Sequence, residues 1–421
     1  MTITDSTRST RRVKLLATKI GSGKTPAGGA ETYLDSGVIF LRSQNIHFDG
    51  LRLDDVAYID ADVHREMRGT RVVPGDVLLN ITGASLGRVT HFPDGVGEAN
   101  VNQHVCIIRP NDALDSQYLS YALSARTSQG QILSMQVGGN RDGLNFEQVG
   151  NLEIPVPGIE MQRRIVNFLD SETARIDRLA RLQREALELL IEREQAIRDG
   201  LVDRLVEKCG EIPLRRFVTR IDQGVSPQCE SFPREGVEWG VLKLSSIKRG
   251  QFNADENKQL PSGVNPHAEY EIKPGDLLVT RANTPQLVGD VAVARGRVQR
   301  LLLPDLIYRI TLESGVDSEY LAQVALSGRI RTLIESTARG SSQSMVKLRG
   351  EDIREWLIPA ANSSQQEALV RDIERGSAAT KAAANTIRRQ LDLLAERRQA
   401  VITAAVTGQL DVATAHRSPM P

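Results

Sequence analysis

The stretch Pro74-Gly75-Asp76-Val77-Leu78-Leu79 occurs again, almost unchanged, as Pro274-Gly275-Asp276-Leu277-Leu278-Val279. Two more stretches repeat in the same order: Ile154-Pro155 as Ile358-Pro359, and residues 188–197 (ELLIEREQAI) as 392–401 (DLLAERRQAV). The offset is 200 residues at the first stretch and 204 at the other two. A repeat this long indicates a duplicated domain, because solenoid repeats have periods of roughly 20–50 residues. Two similar domains on one chain suit a target with two parts.

Composition is that of an ordinary globular protein. The 421 residues are enough for two or three domains, and 40% of them are hydrophobic and 25% charged. The 53 basic residues equal the 53 acidic ones in number, so the basic excess that is usual in nucleic-acid-binding proteins is missing. No apolar run is long enough for a membrane span or a signal peptide, so we expect a cytoplasmic protein without a membrane partner. Three well-separated cysteines argue against a disulfide framework or a zinc site.

Each copy begins with short apolar runs separated by Gly, Pro and Asp, which predict β-strands. In the first copy the predicted strands are 38–41, 77–79 and 104–108; in the second they are 241–244, 277–280 and 306–310. Helices are predicted from Gln117 and from Glu319 onward. Each copy is therefore a mixed α+β domain of roughly 150 residues.

After Pro155 the pattern changes to apolar residues at steps of three, four or seven, which is typical of a long amphipathic helix with coiled-coil character. The second copy has the same pattern, and Ser363 with Gln366 is a candidate capping box at its start. The predicted segments are a first domain (1–158), a first helical spacer (159–208), a second domain (209–360), a second helical spacer (361–412) and a disordered tail (413–421). Since a lone helix cannot bury an apolar stripe, we expect the two helices to pack together.

The residues at the start of the first long helix and at the end of the second resemble those of a known protein family. Residues 154–166 (IPVPGIEMQRRIV) combine a proline-rich segment with a Gln-Arg-x-Ile helix start, and residues 396–411 (ERRQAVITAAVTGQLD) form a distinctive C-terminal signature. With the duplication, they resemble the specificity subunits of Type I restriction-modification systems. The first helix lacks the Thr-Gly-Gln signature, and the second has Asp372-Ile373-Glu374 in place of Phe168-Leu169-Asp170.

The resemblance implies an α+β fold with two similar target-recognition domains, each followed by a long helix, and an antiparallel coiled-coil spacer made of the two helices. It implies a non-catalytic DNA-binding subunit for host defence, in which each domain recognises one half of a bipartite, asymmetric double-stranded site. Two modification subunits would methylate adenine N6 with S-adenosylmethionine, and restriction subunits would use ATP and Mg²⁺. This chain itself would carry no cofactor, metal or catalytic residue.

Polar and basic residues that follow the repeated strands are the candidates for DNA contact, because base recognition requires hydrogen-bonding side chains at the base edges. In the first domain the candidates are Arg42, Ser43, Gln44, Asn45, Asn80, Thr82, Ser85, Asn102, Gln103, Asn140 and Arg141. In the second domain they are Lys243, Ser245, Ser246, Lys248, Arg249, Arg281, Asn283, Thr284, Gln286, Ser341, Ser342 and Gln343. Arg141, Arg281 and Lys248 rank first, since a long cationic side chain reaches either a guanine edge or a phosphate. The alternative is that many of these residues are ordinary surface turns.

On the helices, the positions expected to contact the modification subunits are Gln162, Ile165, Leu169, Gln366, Leu369 and Arg397. The charged helix faces are alternatively the solvated surface of a coiled coil. Two other functions stay open: a protein-interaction scaffold without a DNA role, and a nucleotide hydrolase that uses Lys24. The second depends on Gly21-Ser22-Gly23-Lys24-Thr25, but a phosphate loop needs a glycine where Thr18 stands, so a structural turn is favoured.

Overall fold

A computed structural model describes residues 9–136, 143–342 and 345–412, with the backbone alone at 339–342. The chain forms two compact units. Unit 1 contains residues 1–183 together with 389–421, and unit 2 contains residues 184–388. These units cut across the predicted sequence segments, because each of them contains parts of both long helices.

Unit 1 is a mixed α/β domain joined to helical segments. Its strands are β1 (Thr10–Arg12), β2 (Ala17–Ser22), β3 (Val38–Leu41), β4 (Ile46–His47), β5 (Gly50–Leu51), β6 (Ala57–Ile59), β7 (Arg71–Val72), β8 (Val77–Asn80), β9 (Val89–His91), β10 (Ala99–Val101), β11 (Val105–Pro110) and β12 (Glu153–Pro155). Its helices are α1 (Ala61–Glu66), α2 (Ser116–Ser124), α3 (Arg126–Ser134) and α4 (Phe146–Asn151), followed by α5 (Ile159–Cys209), which continues into unit 2. Antiparallel strands in the order β2-β11-β8-β9 form one sheet, and β6-β3-β10-β7 form a second, with β3 and β10 parallel.

Unit 2 repeats this plan. Its strands are β13 (Glu211–Pro213), β14 (Val218–Gln223), β15 (Gly240–Leu242), β16 (Ile247–Lys248), β17 (Gln251–Phe252), β18 (Asn257–Gln259), β19 (Leu277–Thr280), β20 (Ala282–Asn283), β21 (Val291–Val293), β22 (Leu301–Leu302), β23 (Ile307–Leu312), β24 (Arg339–Ser342), β25 (Met345–Lys347) and β26 (Leu357–Pro359). Its helices are α6 (Ser318–Ala325), α7 (Gly328–Thr337), α8 (Gly350–Arg354) and α9 (Ser363–Thr407), of which α9 ends in unit 1. The sheet β14-β23-β19-β21 corresponds to β2-β11-β8-β9.

The repeated Pro-Gly-Asp sequence forms the same tight turn in both units. Asp76 and Asp276 each accept a hydrogen bond of 2.8 Å from the backbone amide three residues earlier. Gly75 has a φ of 87° and Gly275 a φ of 91°, which is a left-handed conformation that only glycine adopts at little cost. The turn then leads directly into a fully buried strand, β8 or β19. This geometry explains why the sequence of the turn is shared by both copies.

In unit 1 the beginning of α5 packs against the end of α9. Ile165 and Leu169 share a hydrophobic core with Ile402. Farther along α5, Asp177 accepts a hydrogen bond of 3.1 Å from Arg398, which precedes Ile402 on α9. The contacts therefore advance along one helix as they retreat along the other, so the two segments are antiparallel.

In unit 2 the end of α5 packs against the beginning of α9. Val202 shares a core with Leu369, and Glu194 forms an ion pair of 3.6 Å with Lys381. These segments are again antiparallel. The structure thus confirms the predicted fold class of two similar α+β domains, each followed by a long helix, with the two helices packed as an antiparallel pair.

The predicted strands and domain helices are present within two or three residues of their expected ends. The capping box of α9 was predicted wrongly. Asn362 and Gln365 form it by exchanging hydrogen bonds of 2.9 and 3.0 Å between side chain and backbone. Ser363 is already the first helical residue, and Gln366 is engaged elsewhere.

Candidate nucleic-acid interface

In unit 1, the loops that follow β3 and β8 lie against each other. The side-chain amide of Asn80, at the end of β8, donates hydrogen bonds of 2.8 Å to the Ser43 carbonyl and 3.0 Å to the Ser85 hydroxyl. The fold therefore brings together the candidates Ser43, Asn80 and Ser85, which lie within 42 positions of one another in the sequence. Asn80 holds both loops at one edge of the domain.

A second group in unit 1 joins the loops that follow β2, β8 and β10. The hydroxyl of Thr82 is 2.6 Å from His104 Nδ1, and the Gln103 amide nitrogen is 3.1 Å from His104 Nε2. Thr25 donates a hydrogen bond to the side-chain oxygen of Gln103. The candidates Thr82 and Gln103 are thus connected through residues that the sequence analysis did not select.

Arg42 and Gln44 are both engaged with one acidic residue. Arg42 donates a hydrogen bond of 3.2 Å to the carbonyl oxygen of Asp55 and lies over the ring of Tyr33, 5.7 Å from its centre. Gln44 donates a hydrogen bond of 2.9 Å to the Asp55 carboxylate. Gln44 is exposed and Arg42 half-buried, so DNA contact by either requires exchange of the Asp55 interaction.

Unit 2 has the same arrangement with different residues. Glu256 occupies the position of Asp55, and it is 3.8 Å from the Lys243 ammonium and accepts a hydrogen bond of 2.5 Å from the Ser245 hydroxyl. The two domains therefore share a loop framework, while the side chains on that framework differ in size and charge.

The hairpin β16–β17 presents two exposed cations. Lys248 ends β16 and Arg249 occupies the turn with a φ of 50°, and both side chains are exposed. The Arg249 amide donates a hydrogen bond of 2.6 Å to Asp290, which fixes the backbone of the turn and leaves the guanidinium outside that contact. Two neighbouring cations held on a fixed turn are suited to phosphate contact.

Arg281 is anchored beside the loop that precedes β23. Its guanidinium donates hydrogen bonds of 3.1 Å to the Tyr308 hydroxyl and 3.4 Å to the Asp305 carbonyl, and it lies 5.9 Å from the centre of the Tyr308 ring. Ser226 donates to the Asp305 carboxylate. Arg281 is half-buried, so its position is defined by these neighbours.

Asn283, Thr284 and Gln286 lie on β20 and in the loop after it. Arg331 fixes that loop by donating hydrogen bonds of 2.6 Å to the Val288 carbonyl and 3.2 Å to the Gln286 carbonyl. β20 pairs with β25, which in turn pairs with β24, where Ser341 and Ser342 lie. The candidates Asn140, Arg141 and Gln343 fall outside the described residues.

Four of the proposed DNA contacts are buried side chains, so each could reach a base edge only if its loop moved, and their contact with DNA stays a prediction. Asn45 donates to the carbonyls of Arg52 and Asp55 at 2.8 and 3.2 Å. The remaining three are also buried and belong to the framework that supports the loops: Asn80, Asn102 and Ser246.

An equivalent pair of hydroxyl residues was not predicted from the sequence. Thr25 and Ser226 stand 201 residues apart. Each donates a hydrogen bond to a side chain in the loop before the central strand, Thr25 to Gln103 before β11 and Ser226 to Asp305 before β23. The duplication was the available signal, since both hydroxyls follow the matched Gly23 and Gly224.

Most of the proposed partner contacts on the helices are buried within the chain's own domains, and their contact with a partner stays a prediction. Gln162 is fully buried; it accepts a hydrogen bond of 2.8 Å from the Asp115 amide and donates one of 2.9 Å to the Pro157 carbonyl. In unit 2, Gln366 accepts a hydrogen bond of 2.9 Å from the Asp317 amide and donates one of 2.7 Å to the Gly315 carbonyl. Both glutamines thus join a long helix to its own domain. The hydrophobic cores of the two units also bury Ile165, Leu169 and Leu369. Arg397 is exposed, and its contact with a partner stays a prediction.

The remaining chemistry of the chain gives no support to the nucleotide-hydrolase hypothesis. Within residues 9–136, 143–342 and 345–412, no three His, Cys, Asp or Glu side chains are grouped so that they could hold a metal ion. A Cβ on Gly23 would lie 1.6 Å from the Val101 carbonyl oxygen, and one on Gly224 would lie 1.8 Å from that of Leu303. These glycines serve a close backbone approach present in both units. In the same described ranges, no helix is both apolar and long enough to cross a bilayer.

Comparison with known proteins agrees with this architecture. The family model for the Type I restriction modification DNA specificity domain matches residues 65–188. The EcoKI specificity subunit of Escherichia coli K12 is 22% identical over 393 residues, which are 88% of this chain and 82% of that protein. The EcoEI specificity subunit of Escherichia coli is 29% identical over 161 residues, 38% of this chain and 27% of the relative's length. A solved chain from a type I restriction-modification assembly has a TM-score of 0.59 at 16% identity, and the match covers 96% of this chain and 98% of that one.

Two α+β domains of one plan, joined to antiparallel helices and carrying different polar loops, define a duplicated recognition protein. Over most of its length this chain is similar to the specificity subunits of Type I restriction-modification systems. Both of these Escherichia coli relatives are named as specificity subunits of restriction enzymes.

Proposed function

We propose that this chain is the specificity subunit of a cytoplasmic Type I restriction-modification complex for host defence. Each domain recognises one half of a bipartite, asymmetric DNA site and directs adenine-N6 methylation and restriction by partner subunits. The observation that carries the proposal is a loop framework that is the same in both units but holds different side chains. A shared framework places both sets of loops alike, and different side chains select different bases.

Two modification subunits and, for cleavage, restriction subunits are the proposed protein partners. S-adenosylmethionine would be used by the modification subunits, and ATP with Mg²⁺ by the restriction subunits. The chain has 53 basic and 53 acidic residues, so its own long-range attraction for DNA is weak. The partners therefore supply much of the positive field that draws in the duplex, and binding by this chain alone should be weaker than binding by the complex.

The test is single-molecule sequencing of host DNA with and without this gene, in a host that expresses the modification subunit. Loss of N6-methyladenine at one split, asymmetric motif is the expected result. A protein that acts only as a scaffold without a DNA role would leave the map of methylated sites unchanged, and that outcome contradicts the proposal.

The hairpin of unit 2 allows a sharper test. Lys248→Ala with Arg249→Ala should weaken DNA binding by the assembled complex and lower its salt dependence by about one ion for each phosphate that is no longer neutralised. Lys258→Ala, an exposed lysine on β18 in the same domain, is the matched control. Equal effects of the two changes would show that the hairpin has no special part in DNA binding.

A further inference from the structure

The two units contain equivalent ion pairs between the long helices, but the charges are exchanged. In unit 1, α5 supplies the acid Asp177 and α9 supplies the base Arg398, with 3.1 Å between Nε and Oδ1. In unit 2, α5 supplies the acid Glu194 and α9 supplies the base Lys381, at 3.6 Å. The offset of 204 that relates the helices makes Glu194 the counterpart of Arg398, and Lys381 the counterpart of Asp177. Every acid of these pairs is therefore on α5, and every base is on α9.

We propose that these exchanged charges make each repeat pair with the other repeat and prevent it from pairing with a second copy of itself. If the α5 helices of two chains packed together in the same register, Asp177 of one would face Glu194 of the other. If two α9 helices did so, Lys381 would face Arg398. Like charges would meet in both combinations, whereas unlike charges meet in the observed pairing.

Other polar contacts between the helices and the domains do not make this distinction. Gln195 on α5 donates a hydrogen bond of 2.9 Å to the Leu326 carbonyl, and its counterpart Gln399 on α9 donates one of 2.6 Å to the Ser124 carbonyl. Either glutamine could serve either domain. A chain built only from such contacts would leave self-pairing of a repeat open.

The next turn of the helices repeats this equivalence. Asp199 accepts a hydrogen bond of 2.8 Å from the Gly328 amide at the start of α7, and Thr403 accepts one of 3.0 Å from the Arg126 amide at the start of α3. Both side chains provide an oxygen acceptor to the amide at the start of the equivalent helix of their own unit. The ion pairs thus supply selectivity that these hydrogen bonds lack.

A further difference between the two repeats also opposes pairing of a repeat with a second copy of itself. Arg198 on α5 is nearly buried and donates a hydrogen bond of 3.1 Å to Gln323 of unit 2. The counterparts in unit 1 are Ile402 for Arg198 and Tyr121 for Gln323. If α5 took the place of α9 in unit 1, Arg198 would be placed in an apolar core without its glutamine.

The experiment uses the full chain, folded intact, with a protease site inserted after the exposed Gly210 between α5 and β13. The folded protein is cut there, unfolded in urea and refolded. Native mass spectrometry then counts two classes of dimer. An unlike pair contains one fragment from each repeat, and a like pair contains two copies of the same fragment. Wild-type fragments should return almost entirely as unlike pairs.

The variant Asp177→Lys with Arg398→Glu keeps an ion pair in unit 1 but removes the like-charge contacts from both self-pairings. It should raise the share of like pairs about tenfold or more over wild type. The control Asp177→Ala with Arg398→Ala weakens the same contact without creating attraction between like repeats. An equal share of like pairs in wild type, exchanged and alanine proteins would overturn the proposal.

A second measurement covers fragments that fail to refold. Two uncut copies of the chain with different tags are expressed together, one tag is captured, and the recovery of the other is measured. The exchanged variant should retain more of the second tag than the alanine control and the wild type. Recovery that is the same for all three proteins also overturns the proposal.

Discussion

The hydroxyl of Tyr118 donates a hydrogen bond of 2.7 Å to the carbonyl oxygen of Pro155. This bond joins α2 to the segment that leads into α5, and Tyr320 makes the same bond of 2.7 Å to Pro359 ahead of α9. Both tyrosines are fully buried. The direction in which each long helix leaves its domain is therefore fixed by a buried polar contact next to its first turn.

Replacement of either tyrosine by phenylalanine should destabilise its own unit. Tyr118→Phe or Tyr320→Phe leaves a buried carbonyl without its donor, at a cost of about 1–2 kcal/mol in the free energy of unfolding. Urea denaturation measures the change. Tyr58→Phe is the control, because the Tyr58 hydroxyl has no hydrogen-bond partner among the described residues; if this control loses as much stability, the Tyr118 bond is not responsible.

Gly23 and Gly21 provide a matched pair for the close backbone approach in unit 1. Gly23→Ala should cost more than about 2 kcal/mol, because the added Cβ would collide with the Val101 carbonyl and the backbone must move. Gly21→Ala meets no atom within 4 Å and should change stability by less than about 1 kcal/mol. Thermal unfolding of the two variants tests the difference, and similar midpoints would show that the approach at Gly23 is easily relaxed.

Lys24→Ala separates the structural interpretation of this turn from a nucleotide site. Lys24 is exposed, so its removal should affect neither the unfolding midpoint nor ATP binding by the isolated chain. Isothermal titration with ATP is the measurement. ATP binding by the wild type that disappears in the variant would restore the hydrolase hypothesis.

The stability of unit 1 should decrease as the pH falls below 6.5. Burial lowers the pKa of His91 below its ordinary value of 6.5, with Asp170 and Asp115 acting in the opposite direction. The unfolded chain therefore binds a proton more readily than the folded one, and the stabilising effect of a neutral His91 is fully present above pH 6.5 and lost as the pH falls. Urea midpoints between pH 5 and 8 measure this effect, and His91→Gln should flatten the profile. An unchanged profile in His91→Gln would assign the acid sensitivity to other groups.

Local sequence features made most of the secondary structure predictable, and the duplication showed each of them twice. The Pro-Gly-Asp turns, the buried strands after them and the periodic helices are local features, so composition and spacing are enough to find them. The DNA candidates were chosen on the same local basis, as polar residues that follow strands. That rule placed Lys248 and Arg249 on an exposed hairpin but also selected Asn45 and Asn80, which are buried.

Two kinds of feature could not be predicted from the sequence: side-chain contacts between distant parts of the chain, and the exact residue that caps a helix. Gln162 looks like a surface position on an amphipathic helix, yet it satisfies the backbone near Asp115, and only the fold brings these residues together. The capping box of α9 was shifted by one residue because Ser363 and Asn362 are both good caps, and only backbone geometry distinguishes them. The exchanged ion pairs are similarly invisible until the antiparallel register is known.

The length of the helical segments should determine the gap in the recognised DNA motif. Insertion of about four residues, close to one helical turn, within Arg178–Glu194 should change the number of bases between the two half-sites and leave both half-sites unchanged. Sequencing of methylated host DNA reports both features together. A changed half-site with an unchanged gap would contradict a rigid-spacer role.

The two units are built from different stretches of the chain, so they are completed at different times during synthesis. Unit 2 is one continuous segment, residues 184–388, whereas the core of unit 1 includes Ile402, Ala405 and Val412. As the chain leaves the ribosome, the first domain to appear must wait with part of its core uncovered until the last helix has been translated. A premature stop near the end of the message would thus damage the domain at its beginning, and a truncated product with one intact recognition domain would retain the second domain and not the first.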